Sequence, residues 1–397
     1  MRFIYIIILP LLWSCEYTIS TGLDNLLSNN FNVIQNKNIG LIINHTSLIK
    51  DGHHIIDLLA REAGINVSKI FSPEHGYKGI ESAGELVKDN IEPLTGAKIV
   101  SLYGRNKKPS AKELKNIDVL VYDIQDIGSR YYTYISSMAY MMDAAAENNI
   151  PFIVLDRPNP LGRKISGPIL DMDYASFVGM FPIPIRHGMT SGELARMING
   201  ENWLPSGKQV DLTVIEVTGW DVTSGYFTIA PSPNIPNFNT ALVYNGMCLF
   251  EGTNISEGRG TDYPFLYFGA PWINTLQLSK TLNNLKLKGV RFESINFTPK
   301  SSEGSKWPKY ENEVCRGCKV IITDSESYNP IKTATQIIFE ISELYPKKFK
   351  FLKTNFIDKL YGSQKLRFWV ESQNRTIDLY SDWESQFPSL RKNYLIY

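Results

Sequence analysis

Five short apolar runs in the first 160 residues constrain this chain most. They cover 39–43, 69–72, 99–102, 119–124 and 152–155, and each stops at a polar or turn-forming cluster. Helix-like stretches lie between some of them: 55–63, closed by Gly64, and 134–148 after a run of tyrosines. Near-continuous apolar strands alternating with helices need a parallel sheet covered on both faces. In such sheets ligands bind beyond the carboxyl ends of the strands. The clusters at those ends are Asn44-His45-Thr46, Glu74-His75, Asp123 with Asp126, and Asp156-Arg157. A site is therefore expected along that one edge. No G-x-G-x-x-G or G-x-x-x-x-G-K-[ST] sequence follows a strand, which argues against a nucleotide or dinucleotide cofactor.

The texture changes near residue 205, where Trp203-Leu204-Pro205-Ser206-Gly207 is turn-rich. The remainder has strand-like runs at 212–217, 241–244, 290–297 and 319–323, and a helical stretch at 333–344. With 397 residues, two domains are expected. The reading is an α/β, Rossmann-like N-terminal domain with a mostly parallel sheet over 20–205. A smaller α+β domain over 206–397 completes a cleft. The net charge of +1 leaves no basic face for nucleic acid.

The N-terminus reads as a leader. Arg2 precedes an apolar run from Phe3 to Trp13, too short to span a bilayer. Residues 1–14 read as a signal peptide, and Leu12-Trp13-Ser14-Cys15 resembles a lipobox with Cys15 as the acylated residue. The expectation is export to a bacterial envelope and a lipid anchor at the membrane. Cys315 and Cys318 have redox or metal spacing, but a zinc site needs two further ligands. A small disulfide or two incidental thiols fits better, and no metal site is expected.

Five segments carry candidate chemistry. In Ser72-Pro73-Glu74-His75-Gly76 a carboxyl group sits beside an imidazole at a strand end, fixed by Pro73 and Gly76. That suits a glycosidase acid as well as it suits a structural polar pair. The segment from Asp123 to Tyr134 offers Asp123, Asp126, Arg130 and Tyr132 among hydroxyl-rich neighbours. It suits a sugar with many hydroxyls, or a loop held by one buried Asp with tyrosines packing a domain interface. In Asp156-Arg157-Pro158-Asn159-Pro160, Arg157 is placed either to receive a carboxylate or to shape its own loop. Arg186 and His187 precede Thr190, which forms a capping box with Glu193, so Glu193 reads as structural. The stretch Glu251 to Thr261 places Glu251, Asn254, Glu257 and Arg259 in a glycine-rich loop, either lining a cleft or solvated at the surface.

Together with Pro231-Ser232-Pro233-Asn234, these motifs resemble the exo-β-N-acetylmuramidases, in the family's order and from about residue 22 to the C-terminus. The resemblance implies a Rossmann-like domain without a nucleotide, a smaller C-terminal domain and a cleft between them. It implies that Glu74 is the acid or acid/base and leaves the second catalytic group open: beside His75, the sequence offers Asp123, Asp126, Glu251 and Glu257, and the substrate's own 2-acetamido oxygen is a further option. The substrate implied is a muropeptide or disaccharide carrying N-acetylmuramic acid at its non-reducing end. Asn44, His45, Asp126, Arg130, Tyr132, Arg157, Arg186, His187, Glu251, Asn254, Glu257 and Arg259 are the candidate binding residues. One arginine among 130, 157, 186 and 259 is expected to read the lactyl carboxylate. The alternative is a surface lipoprotein that binds such fragments without cleaving them. A hydrolase of esterase type would need a G-x-S-x-G elbow, which the sequence lacks.

Overall fold

The computed structural model describes residues 19–397 apart from 75, 79–90, 103, 105, 224, 225, 227, 228, 303, 384 and 385. The leader, Cys15 and His75 thus lie outside the described residues. The N-terminal half runs α1 (Gly22–Ser28), β1 (Lys37–Ile43), α2 (Ile55–Leu59), β2 (Ile65–Ser72), β3 (Lys98–Ser101), β4 (Val119–Asp123), α3 (Tyr134–Asn148) and β5 (Phe152–Leu155). It continues with a hairpin, β6 (Ser166–Ile169) and β7 (Pro184–Arg186), then α4 (Ser191–Gly200) and β8 (Leu212–Ile215). Six strands form one sheet in the order β3-β2-β1-β4-β5-β8, every pair parallel. The order reverses between β1 and β4, which is the switch point of a Rossmann-like sheet.

The apolar runs alternate faithfully. Leu41, Ile43, Val119, Val121, Ile153 and Leu155 point to a core closed by α1 and α2. Ile42, Leu120, Tyr122, Phe152 and Val154 point to the opposite face, beneath α3. That second core continues without a break through the C-terminal half to Phe387. The two halves therefore share packing rather than meeting as independent bodies.

The C-terminal half contains α5 (Phe238–Met247), β9 (Tyr267–Ala270), α6 (Thr275–Asn284), β10 (Val290–Phe297), β11 (Cys315–Ile322), α7 (Pro330–Leu344), α8 (Phe356–Tyr361), α9 (Lys365–Ser372) and α10 (Phe387–Arg391). Its sheet is antiparallel, in the order β10-β11-β9. At Gly246 a Cβ would lie 2.0 Å from the Pro330 carbonyl oxygen, so only glycine lets α5 cross the start of α7 this closely.

Two expectations are corrected here, and of the two readings of Cys315 and Cys318 the incidental thiols are found. The run 241–244 is helical: α5 is buried from Thr240 to Met247, so it shows no amphipathic period, and Asn237 caps it. β8 follows the expected boundary at 205/206 yet supplies the sixth strand of the parallel sheet. It is an edge strand, only half-buried, which accounts for its mixed pattern. Cys315 and Cys318 are free thiols. They stand three apart in β11, so their side chains leave opposite faces of the strand and cannot pair.

Candidate active site

β2 ends in a turn that Pro73 and Gly76 define. The Gly76 amide donates to the Pro73 carbonyl at 3.1 Å, and Gly76 has φ +73°, a left-handed conformation suited to glycine. The turn delivers Glu74 into a cavity of about 710 Å³, measured out to its open mouth. Glu74 Oε2 accepts from Thr133 Oγ1 at 2.9 Å, and the Tyr134 hydroxyl donates to the Glu74 carbonyl at 3.4 Å. Among the described residues, Oε1 has no hydrogen-bond partner.

The cavity walls come from both halves. Tyr131, Tyr132, Thr133 and Tyr134 form one side, at the start of α3. Ser232, Asn234 and Ile235 follow, then Tyr244 and Cys248 from α5 and its end, Glu251, Arg259 and Phe265, and Phe356 with Leu360 of α8. The rings brace one another edge to face: Tyr132 on Tyr134 at 4.9 Å, Tyr132 on Tyr244 at 6.0 Å, Tyr244 on Phe265 at 4.8 Å. Their hydroxyls are anchored to backbone, Tyr132 on the Pro231 carbonyl at 3.0 Å and Tyr131 on that of Asn245. Burial pushes these phenols well above their ordinary pKa, so they remain neutral.

The far wall is ionic. Arg259 Nε lies 2.9 Å from Glu257 Oε1, and Arg259 Nη2 lies 3.8 Å from Glu251 Oε1. Lys309 Nζ holds Glu257 Oε2 at 3.0 Å and donates to the carbonyls of Phe250 and Ile255. Burial alone would raise the Glu257 pKa, but Lys309 and Arg259 overcome it and hold it at about 2. The carboxylates of Glu251 and Glu257 in turn raise that of Arg259.

Of the expected site residues, Glu74, Tyr132, Glu251 and Arg259 thus share one cavity. The other described candidates do not line it. Asp123 is fully buried and paired in a fork with Arg157, Oδ1 to Nε at 2.5 Å and Oδ2 to Nη2 at 2.9 Å. Arg157 also donates to the Leu48 carbonyl at 3.0 Å. Each satisfies the other, so neither is offered to substrate. Arg130 spends its guanidinium on four carbonyls: Pro168, Ile183, Leu360 and Tyr361, at 2.8 to 3.0 Å. Arg186 donates to the Leu161 carbonyl and lines a different cavity, with Phe238 and Leu242. Leu242, on that cavity, and Tyr244, on the Glu74 cavity, leave opposite faces of α5. Asn254 bridges to the backbone of Lys348 and Lys350. His45 Nε2 contacts the Ala230 carbonyl at 2.8 Å, and Asn44 Oδ1 binds the amide and hydroxyl of Thr46. Asp126 and His187 are buried together, Oδ2 to Nε2 at 3.7 Å. Burial lifts the Asp126 pKa to about 7 and lowers that of His187 to about 3, so a neutral pair is favoured.

One other reading holds. Thr190 and Glu193 form the capping box of α4, and Glu193 also binds Arg163. Asp156 accepts from the Thr190 hydroxyl at 2.6 Å and the Gly192 amide at 2.8 Å, so it shapes its loop. The cavity residues Thr133, Ser232, Asn234, Tyr244, Cys248, Phe265, Phe356 and Leu360 were not singled out as site residues. Thr133, Ser232 and Asn234 fall inside motifs that the sequence does display; Phe356 and Leu360 carry no local signal.

Comparison with known proteins gives the family. Residues 39–239 match the family model described as exo-beta-N-acetylmuramidase NamZ, N-terminal, and residues 242–397 match its C-terminal counterpart. The chain is 43% identical over 389 residues to the peptidoglycan beta-N-acetylmuramidase NamZ of Bacillus subtilis (strain 168), covering 96% of this chain and 91% of that protein. Two crystal structures of DUF1343 family proteins from Bacteroides fragilis NCTC 9343 are each 36% identical and cover 96% of this chain and 99% of theirs. Their TM-scores are 0.87 (BF0371) and 0.77 (BF0379). A chain matched over both halves, with a motif glutamate and an arginine facing one cavity, belongs to the exo-β-N-acetylmuramidase NamZ family of glycoside hydrolases.

Proposed function

We propose that the protein releases N-acetylmuramic acid from the non-reducing end of peptidoglycan fragments, with Glu74 as the proton-donating group and Arg259 as the reader of the lactyl carboxylate. The observation that carries this reading is the sharing of one cavity by Glu74 and Arg259, while Arg130, Arg157 and Arg186 are engaged elsewhere. Thr133 holds one oxygen of Glu74. The other faces the glycosidic oxygen and passes it a proton as the bond to C1 breaks. Water adds at C1 and gives up a proton, by which Glu74 is restored, leaving the free sugar and a shortened fragment. The tyrosine wall supplies apolar faces for the pyranose. Arg259 keeps donors beyond those used by Glu257, and N-acetylglucosamine has no carboxylate to meet them.

The enzyme is proposed to act at the bacterial envelope, held there by diacylglycerol on Cys15 as the leader implies. Among the described residues no helix is long and apolar enough to cross a membrane.

Glu74→Gln tests the central claim. It keeps the shape and the contact from Thr133 but removes the transferable proton. The expected result is a kcat on a natural disaccharide lowered by about 10²–10⁴-fold with Tm little changed. Near wild-type turnover in a folded Gln variant would refute the assignment.

A further inference from the structure

An anionic sugar entering this cavity meets two carboxyl groups, Glu74 and Glu251. In the far wall the charges of Glu251, Glu257, Arg259 and Lys309 already cancel if both glutamates are ionised. A lactyl carboxylate docking on Arg259 would then sit beside a second carboxylate with no net positive charge to receive it.

The two glutamates are held very differently. Glu257 is 2% exposed in its side chain, with one oxygen on Arg259 and the other on Lys309. Glu251 is 23% exposed and makes no hydrogen bond to any described residue; its ion-pair contact with Arg259 is 3.8 Å long. It is therefore the group in this wall that can change its protonation without dismantling the wall. Burial raises its pKa; Arg259 opposes this, Glu257 reinforces it, Lys309 opposes and Glu74 reinforces. The remaining titratable neighbours, Cys248, Tyr131 and Tyr244, are pushed far up by burial and stay neutral.

We infer that Glu251 and Arg259 read the lactyl carboxylate jointly, Glu251 taking up one proton from solvent as the sugar binds and donating a hydrogen bond to the carboxylate that Arg259 holds by charge. The inference rests on the muramic-acid reading above. No covalent bond changes; the proton is returned to solvent when the sugar leaves. A negative charge arriving beside Glu251 raises its proton affinity further, so binding and protonation reinforce each other. N-acetylglucosamine brings no such charge and takes up no proton.

Titration calorimetry of free N-acetylmuramic acid, in phosphate and in Tris at the same pH between 7 and 8, measures the protons exchanged on binding. The wild-type enzyme should take up close to one per sugar, and the lactyl methyl ester of the same sugar should take up none. Above the pKa of Glu251 the wild-type affinity should fall about tenfold per pH unit. Glu251→Gln, a fixed donor of the same shape, should bind with no proton uptake and a flat pH dependence from pH 6 to 9. Binding that depends on Arg259 but exchanges no proton overturns the inference and leaves the muramic-acid reading standing. Uptake that persists in Glu251→Gln, or with the neutral ester, also overturns it. If the wild-type protein neither binds N-acetylmuramic acid nor cleaves a chromogenic muramide, both readings fail together.

Discussion

Breaking the Asp123–Arg157 pair should damage folding and leave chemistry almost untouched. Asp123 is wholly buried at the end of β4, and Arg157 is 5% exposed at the end of β5. Burial pushes the Asp123 pKa up, and the guanidinium beside it is the main opposing influence. Arg157→Met strips that influence away and leaves a carboxyl group in an apolar setting. Removing one partner of a buried ion pair costs about 3–5 kcal/mol. In a chain of this size, at roughly 2 °C per kcal/mol, Tm should fall by about 6–10 °C. The loss should also depend on pH. Without Arg157 the carboxyl must be protonated in the folded state, so its folded pKa, already raised by burial, rises further above the unfolded value. Stability is then fully present at low pH and lost as pH rises through the folded pKa. The deficit should accordingly be larger at pH 8 than at pH 5. Differential scanning calorimetry measures both effects, and turnover at 25 °C should stay within about twofold of wild type. Asp123→Asn, tested alongside, should likewise lower Tm. If it instead lowered kcat by a hundredfold or more with Tm unchanged, Asp123 would be a catalytic group and the geometry would have been misread.

Arg130→Met should orphan the carbonyls of Pro168, Ile183, Leu360 and Tyr361 at once. It should lower Tm by at least about 6 °C and, because Leu360 lines the cavity, also raise KM. Lys at this position should restore little, since its three donors cannot span four carbonyls. Asp126→Asn should make the protein less sensitive to alkali. The wild-type carboxyl has a folded pKa of about 7 against an unfolded value near 4, so it contributes stability at low pH that disappears as pH rises through 7. The amide carries no such dependence, and the drop in Tm from pH 5 to pH 8 should shrink. Parallel curves for the two proteins would contradict the assignment.

Much of the fold was legible because the physics was local. The parallel strands are buried on both faces, so they appear as unbroken apolar runs, and β5 is found at the residues the sequence indicates. The box of Thr190 and Glu193 is a contact within one turn and needs no tertiary knowledge. α5 was hidden because a helix buried all round has no polar face to mark its period. The hairpin of β6 and β7 escaped because two strands of three or four residues give too short a pattern. In the site, spacing could nominate four arginines but could not tell a guanidinium facing a cavity from one spent on carbonyls 230 residues away.

The carboxyl edge of the sheet is held together largely by its own side chains. The crevice between the carboxyl ends of β1 and β4 is where such sheets normally take a nucleotide. In this chain side chains tie the loops at that edge to one another. Ser47 Oγ donates to the Asp123 carbonyl, the Gln125 amide donates to Thr46 Oγ1 at 3.0 Å, and Arg157 ties Asp123 to Leu48. The polar residues that mark the sheet edge in the sequence are thus largely its packing. Glu74 escapes that fate because β2 lies one strand beyond the switch point, and its turn opens toward α3 and the C-terminal half rather than into the crevice. The cavity that Glu74 enters lies one layer outward. Half of its lining, including Glu251 and Arg259, must then come from the C-terminal half. A shared core rather than a mobile linker holds the two halves together, so Glu74 and Arg259 face each other before any substrate arrives.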